Sequence, residues 1–418
     1  MNRVADVVVV GAGPAGVAAA ITVARGGRDV VLLDKAEFPR DKCCGDGLTT
    51  LALRELEMLG FEPSAVDDWK VVDGAVLRSP SGREVNVPLP VRAGTFAAVC
   101  PRRQLDAALV SLATKNGVDV LEGHGFDGHL DQQPDHVTVG VSGHRSIAAR
   151  YVIAADGMWS PVRKAAGLAM PGYLGEWHAF RAYVGDVTGP AADHLYVWFE
   201  ADFLPGYAWS FPLPDGRANV GFGVMRDGTR RIQEMKESWS GLLERRHIRD
   251  ALGPGAELEG RHLAWPIPAR VDRVPLTAGR VLFTGDAAAA SDVMTGEGIG
   301  QALLSGRVAA DAVLEAGALR AAVARARYER EVSHHLVADH KMSVALGRVL
   351  AHERGARGAI KILERSGHWG RRNFARWMFE DEPRALLLTP RRWHRRVLSR
   401  PGASFDDGKG AHRERSHP

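Results

Sequence analysis

The sequence predicts an α/β fold in which a strand–helix–strand nucleotide domain holds an inserted antiparallel sheet and is followed by a helical C-terminal region. Three observations predict it. The chain opens Asp6-Val-Val-Val-Val10, a glycine loop, an apolar helix-like run Pro14–Arg25, then Asp29-Val-Val-Leu-Leu-Asp34. From about Pro171 to Pro268 the pattern changes to short alternating or clustered strands with turn residues between them. From Gly298 onward it is mostly helical.

The first two strands are continuous apolar runs, as expected where both sheet faces are covered, and Gly26-Gly27 ends the helix between them. Residues 101–115 read as a second helix, Val118–Val120 and Tyr151–Ala155 as returning strands, and 126–147 as a polar hairpin between them. In the inserted part, Tyr196–Phe199, Ala208–Phe211 and Ala218–Val224 read as strands, with Pro212-Leu-Pro-Asp-Gly216 as a turn. The helices expected afterwards are 301–316, 319–350 and 355–380. The domain boundaries that follow are 1–60, 96–170 and 265–320 for the nucleotide domain, 61–95 and 171–264 for the inserted domain, and 321–400 for the helical region. The polar tail 401–418 is expected to be disordered.

At 418 residues, 45% hydrophobic and 25% charged, the chain is long enough for two or three structural units. It has no apolar run of about 18 residues, so no membrane-spanning helix is expected. No signal-peptide layout is present at the start, and Cys43, Cys44 and Cys100 suit a reducing compartment. The expected location is the cytoplasm. Residues 341–400 carry 15 Lys/Arg against 5 Asp/Glu, although the net charge of the whole chain is only +4. This basic end suits a solvated face, an anionic ligand or the inner membrane surface. Trp369, Trp377 and Trp393 lie in it and suit either packing or a membrane interface.

The loop Gly11-Ala-Gly13-Pro-Ala15-Gly16 has a physical role. Gly11 permits a tight turn, Gly13 lets the backbone approach a pyrophosphate, and Gly16 permits close helix–strand packing. Asp34 ends the second strand, where a carboxylate can accept hydrogen bonds from an unphosphorylated ribose, with Lys35 beside it. This start alone fits NAD or FAD. Two later signatures, Asp156-Gly157 and Gly285-Asp286, also end strand-like runs. With Ala287–Ala290 and Thr295-Gly296-Glu-Gly298-Ile299, the latter resembles the flavin loop of the p-hydroxybenzoate-hydroxylase-like superfamily. The resemblance implies a Rossmann-like FAD-binding domain. In it Asp286 would hold the ribityl chain, Gly296, Gly298 and Ile299 would turn backbone N–H groups to the flavin ring, and Arg102 would face the cofactor.

Two further motifs are similar to those of the geranylgeranyl reductase family of flavoproteins. One is Pro39-Arg-Asp-Lys-Cys-Cys44-Gly45-Asp-Gly-Leu48. The other is Tyr207-x-Trp209-x-Phe211-Pro followed by Gly221-x-Gly223. The similarity covers roughly residues 1–320. It implies hydride transfer from N5 of reduced flavin to an isolated prenyl C=C, with Cys44 near the flavin as a gate or proton source. Strand alternation puts Tyr207, Trp209 and Phe211 on one face, where they would form an aromatic wall for an isoprenoid substrate with Gly221 and Gly223 beside it. The same alternation suits simple packing of the sheet. One departure is Val293, where the family usually has proline.

No second glycine motif for a nicotinamide is present, so the electron donor is NAD(P)H or a ferredoxin-type protein. His334, His335, Asp339 and His340 lack the further ligands of a metal site, and no metal is expected. Nucleic acid is not an expected partner. Two other functions fit the motifs: an aromatic or polyketide monooxygenase of the same superfamily, and a non-catalytic flavin-binding or membrane-docking protein.

Overall fold

The computed structural model describes residues 4–90, 94–226, 232–386 and 404–405. Its first sheet is mixed. Strand Ala5–Val10 lies at its centre, parallel to Val30–Leu33 on one side and to Ile147–Ala154 on the other. Val281–Phe283 extends it in parallel beyond Ile147–Ala154, and Asp119–Leu121 beyond Val30–Leu33. The hairpin Phe126–Gln132/Val137–Val141 joins antiparallel at its side.

Helix α1 (Pro14–Arg25) leaves the glycine loop with Pro14 in its first turn and no side-chain cap at Gly13. Helices α2 (Thr50–Met58) and α3 (Arg102–Lys115) follow, and α4 (Pro161–Ala165) is one short turn. A small three-stranded sheet of Gly47–Leu48, Ala98–Val99 and Lys70–Val71 stands beside them.

The second sheet is built on Trp177–Gly185, Arg217–Met225 and Gly206–Leu213, paired antiparallel in that order. Asp215 and Gly216 both have positive φ in the turn joining the last two, the geometry a tight hairpin demands. The expectation of an antiparallel sheet needs one correction. Leu195–Trp198 pairs in parallel with Gly74–Arg78, which lies some 120 residues upstream and brings Glu84–Pro88 with it. Leu263–Ile267 also pairs into this sheet, so residues 265–267 sit with the inserted unit. Helices α5 (Ile232–Leu242) and α6 (Arg246–Leu252), not expected from the sequence, cover one face with Met235, Trp239, Leu242 and Ile248 buried.

The C-terminal helices differ in two places from expectation. After α7 (Ile299–Ala316), helix α8 (Ala321–Val332) passes through a π turn at Ser333–Val337 into α9 (Ala338–Leu350). The expected helix 355–380 is two, α10 (Glu353–Arg365) and α11 (Gly367–Met378). The break falls at Gly367, whose φ of +67° leaves the right-handed helical region. In the tail, Ser404 pairs with Thr95 and the Phe405 ring meets Trp69 edge-on. The rest of 401–418, like Trp393, lies outside the described residues.

Helices α1 and α7 pack face to face. A Cβ on Gly306 would stand 2.0 Å from the Ala15 carbonyl oxygen, so only glycine permits this approach. We expect Gly306→Ala to lower unfolding stability by about 1–3 kcal/mol, the usual effect of overpacking. A denaturant melt checks this, and an unchanged midpoint would contradict the packing.

Candidate flavin and substrate site

The glycine loop is held by backbone contact. A Cβ on Gly11 would stand 2.3 Å from the Ala155 carbonyl oxygen, and one on Gly16 would stand 1.7 Å from that of Gly11. Beside Gly13 the nearest atoms are the Arg40 and Arg102 guanidinium groups, 3.8 and 3.9 Å from such a Cβ. The loop is therefore tight at its ends and open in the middle, with cations beside the opening. That arrangement fits a pyrophosphate at an uncapped helix N-terminus. Asp34 accepts from the Ala12 and Ala36 amides at 2.8 and 2.9 Å, which fixes its carboxylate at the strand end and leaves lone pairs for a ribose. Lys35 is exposed next to it. Ala15 is buried against Gly285 and Gly306.

Arg102 is buried. Its Nε and one terminal nitrogen both donate to Asp106 at 2.7 Å, and Arg40 pairs with the same carboxylate at 2.8 Å. Burial alone would lower the Arg102 pKa, but Asp106 raises it, so the charge is fixed. Asp156 is engaged structurally: it accepts from the Ser160 hydroxyl and the Val162 amide at the start of α4. Gly157, with φ +83° and nothing near its missing side chain, is the open position of that pair. Asp286 faces Lys42 at 3.1 Å. Gly298 leads into α7, but Glu297 accepts from the Ile299 and Gly300 amides. Burial and Glu380 raise the Glu297 pKa, which favours the protonated acid. Sequence reasoning missed Glu297, although it stands between two of the glycines singled out.

The second sheet turns Tyr207, Trp209 and Phe211 to one face in a row, with ring centroids 5.9 and 6.0 Å apart. Register explains the paired glycines. Tyr207 lies opposite Gly223, and Trp209 opposite Gly221. A Cβ at Gly221 would enter the Trp209 indole at 2.4 Å, and one at Gly223 would stand 3.3 Å from Trp177. The glycines make room for rings. The Tyr207 hydroxyl donates to the Thr295 carbonyl, and the Phe211 ring lies over Gly45 and Gly47. The aromatic row thus spans from the Thr295 loop to the Cys44 loop. At Val293, the carbonyl accepts from the Trp177 indole at 2.8 Å.

Between these parts lies a buried network that sequence reasoning did not find. Asp46, fully buried with φ +64°, accepts from the Tyr183 hydroxyl at 2.7 Å, from Asn219 Nδ2 at 2.8 Å and from the Arg102 amide at 3.2 Å. Asn219 also donates to the Cys44 carbonyl and accepts from the Trp209 indole. The Asp46 amide lies 3.4 Å from Cys44 Sγ. One asparagine therefore sets both Cys44 and Trp209. The available signals were an acid between Gly45 and Gly47 and a polar residue in the apolar run 218–224. Burial pushes the Asp46 carboxyl up to about 6, against the hydrogen bonds of Tyr183 and Asn219. Burial likewise pushes the Cys44 thiol up to about 11, so it keeps its proton at neutral pH.

Among the described residues no group of three His, Cys, Asp or Glu side chains suits a metal ion. His335 faces Glu331 and His340 faces Asp272. Cys43, Cys44 and Cys100 are free thiols.

A family model described as an FAD binding domain matches residues 4–304. The chain is 33% identical to the menaquinone reductase of Mycolicibacterium smegmatis over 76% of this chain and 78% of that protein. It is 34% identical to digeranylgeranylglycerophospholipid reductase 2 of Methanopyrus kandleri over 74% of this chain and 77% of that one. The chain belongs to the geranylgeranyl reductase family of FAD-binding flavoproteins. It is an FAD-dependent oxidoreductase. Its fold is that of a geranylgeranyl bacteriochlorophyll reductase-like protein from Thermoplasma acidophilum, with TM-score 0.75 and 23% identity over 87% of this chain and 92% of that one.

Asp46→Asn tests the network, because asparagine tolerates positive φ yet presents an amide to the Tyr183 and Asn219 donors. We expect stability to fall by about 1–3 kcal/mol. A carboxyl whose pKa is raised on folding stabilises the folded state at low pH, and that contribution is lost as pH rises through its folded pKa. The advantage of wild type over Asp46→Asn should therefore shrink as pH rises from about 4 to about 6. Melts across that range read it, and a constant gap would contradict the assignment. Asp286→Ala should weaken FAD binding about 10-fold or more, as loss of a charged hydrogen-bond acceptor does. Flavin titration of the apoprotein reads this, and unchanged affinity would remove Asp286 from the site.

Proposed function

We propose that this flavoprotein reduces isolated C=C bonds of isoprenoid chains carried on a lipid or quinone. The observation that carries the reading is the aromatic row, set between the flavin loop at Thr295 and the Cys44 loop. Beyond it Val197, Phe199, Phe211, Phe374 and Met378 are partly buried side chains of an apolar wall, packed against one cluster that joins the second sheet to α10 and α11. A flexible hydrocarbon suits such a wall. The relatives named for menaquinone and for geranylgeranyl phospholipid support the same substrate class.

FAD, when bound and reduced, supplies a hydride. The glycine loop, Asp34, Gly157 and Asp286 would hold it. Tyr207, Trp209 and Phe211 exclude water and align the alkene. Tyr207 stays protonated because burial raises its pKa, and its hydroxyl is tied to Thr295 rather than to substrate. The Cys44 thiol gives a proton to the carbon that does not receive the hydride, and the resulting thiolate is reprotonated from solvent. Electrons enter from NAD(P)H binding transiently or from a ferredoxin-type protein.

The test is anaerobic. Dithionite-reduced holoprotein is mixed with geranylgeranyl compounds and a prenylated quinone, and products are weighed by mass spectrometry. We expect two added hydrogens per reduced double bond. Oxygenated product formed only in air, with no hydrogenated product, would overturn the reading in favour of a monooxygenase. Cys44→Ser should keep FAD and lose about 100-fold or more in turnover, the scale of general acid catalysis.

A further inference from the structure

Among the large apolar side chains exposed to water, three cluster by position in the C-terminal helices. Val349 near the end of α9 is 57% exposed, Ile362 in α10 is 72% and Trp369 in the first turn of α11 is 59%. The three helices follow one another closely: a Cβ on Gly355 in the first turn of α10 would stand 1.8 Å from the Val349 carbonyl oxygen. Helix α10 is two-faced. Ala356, Ile360 and Leu363 form one buried stripe, and Ile360 and Leu363 pack in the cluster that includes Val85 and Val87 of the second sheet. Arg354, Lys361 and Arg365 project from the other side, exposed, with Ile362 among them.

The charge there is of one sign. The two acids of α10 are already neutralised: Glu353 pairs with Arg357 at 2.9 Å, and Glu364 pairs with Arg83. Arg348, Arg354, Lys361 and Arg365 form no ion pair among the described residues. An exposed isoleucine on a helix face that carries unpaired cations, followed by an exposed indole in the first turn of the next helix, is the pattern of helices lying in a membrane interface, where an indole settles at headgroup depth. No described helix is long and apolar enough to cross a membrane, so contact through a surface is the mode available to these elements.

We propose that the outer face of α9–α11 docks on an anionic lipid bilayer. Val349, Ile362 and Trp369 enter the interface, and the surrounding cations meet lipid phosphates. The inner face of α10 and α11 packs on the apolar cluster of the second sheet, so docking places the sheet that carries the aromatic row beside the membrane in which a lipid-borne isoprenoid resides. This rests on the proposed isoprenoid substrate for its purpose, but not for its physics.

The test is flotation of the holoprotein with vesicles of phosphatidylcholine alone or with phosphatidylglycerol added. We expect binding to the anionic vesicles, at least about 10-fold weaker binding to the neutral ones, and loss of binding at high salt. Ile362→Glu and the double change Lys361→Glu/Arg365→Glu should each weaken binding about 10-fold or more. FAD content and reduction of a short, water-soluble prenyl alcohol should be unchanged in both, which shows that they remain folded. Flotation of the variants equal to wild type overturns the docking face. No flotation of wild type with either vesicle at low salt also overturns it, and leaves the patch to an acidic protein partner. Vesicle binding without alkene reduction by any form would support the docking face while overturning the proposed function.

Discussion

The whole arrangement depends on one close approach of backbone to backbone. Helix α1 is wedged between the glycine loop and α7, and three glycines make the wedge possible. Gly16 lets α1 touch the Gly11 carbonyl, Gly11 lets the loop touch the end of Ile147–Ala154, and Gly306 lets α7 touch α1. Any side chain there would overlap backbone, which cannot move aside as a flexible side chain can. Once α1 is seated, its N-terminus faces the space beside Gly13. The turn at Gly285-Asp286 and the start of α7 are carried to the same side. Ala15 of the first segment and Gly285 of the late one are thereby brought into contact.

The second sheet is joined to that site by hydrogen bonds rather than by packing alone. Asp46 holds Tyr183 and Asn219 of the second sheet against the Cys44 loop, and Asn219 holds Trp209. Such a buried network is worth most when every member is satisfied, and this one leaves the carboxylate with three donors. On the other side, Asp292 pins the flavin loop. Its carboxylate accepts from the Met294 and Thr295 amides, the Thr295 hydroxyl and Ser343 on α9. Burial works against its charge, but Arg384 and these donors hold its carboxyl below the usual range. The helical region thus stabilises the loop around Asp292 and Thr295 while packing on the apolar cluster of the second sheet.

Much of this was legible in the sequence because it is encoded locally. The apolar runs 6–10 and 29–34, the glycines between them and the strand at 206–213 need only neighbours along the chain to be recognised. Met235, Trp239 and Leu242 carried a helical spacing that the strand-rich surroundings masked. The parallel join of Leu195–Trp198 to Gly74–Arg78 has no local signal at all, since it depends on partners far apart. The same holds for Asp46, whose two side-chain donors lie 137 and 173 residues away. The break at Gly367 was marked by its residue type, yet the flanking helical periodicity hid it.

Alkene reduction turns on where a prenyl chain lies relative to the flavin. The most direct measurement is a crystal structure of the protein with FAD and a geranylgeranyl compound bound. It should place the isoalloxazine ring between the Thr295 loop and the aromatic row, with an alkene carbon about 3.5 Å from N5, the distance of a reactive pose, and Cys44 on the side of the neighbouring carbon. A prenyl chain bound away from the Tyr207–Phe211 row, with the ring's reactive face open to solvent, would contradict it.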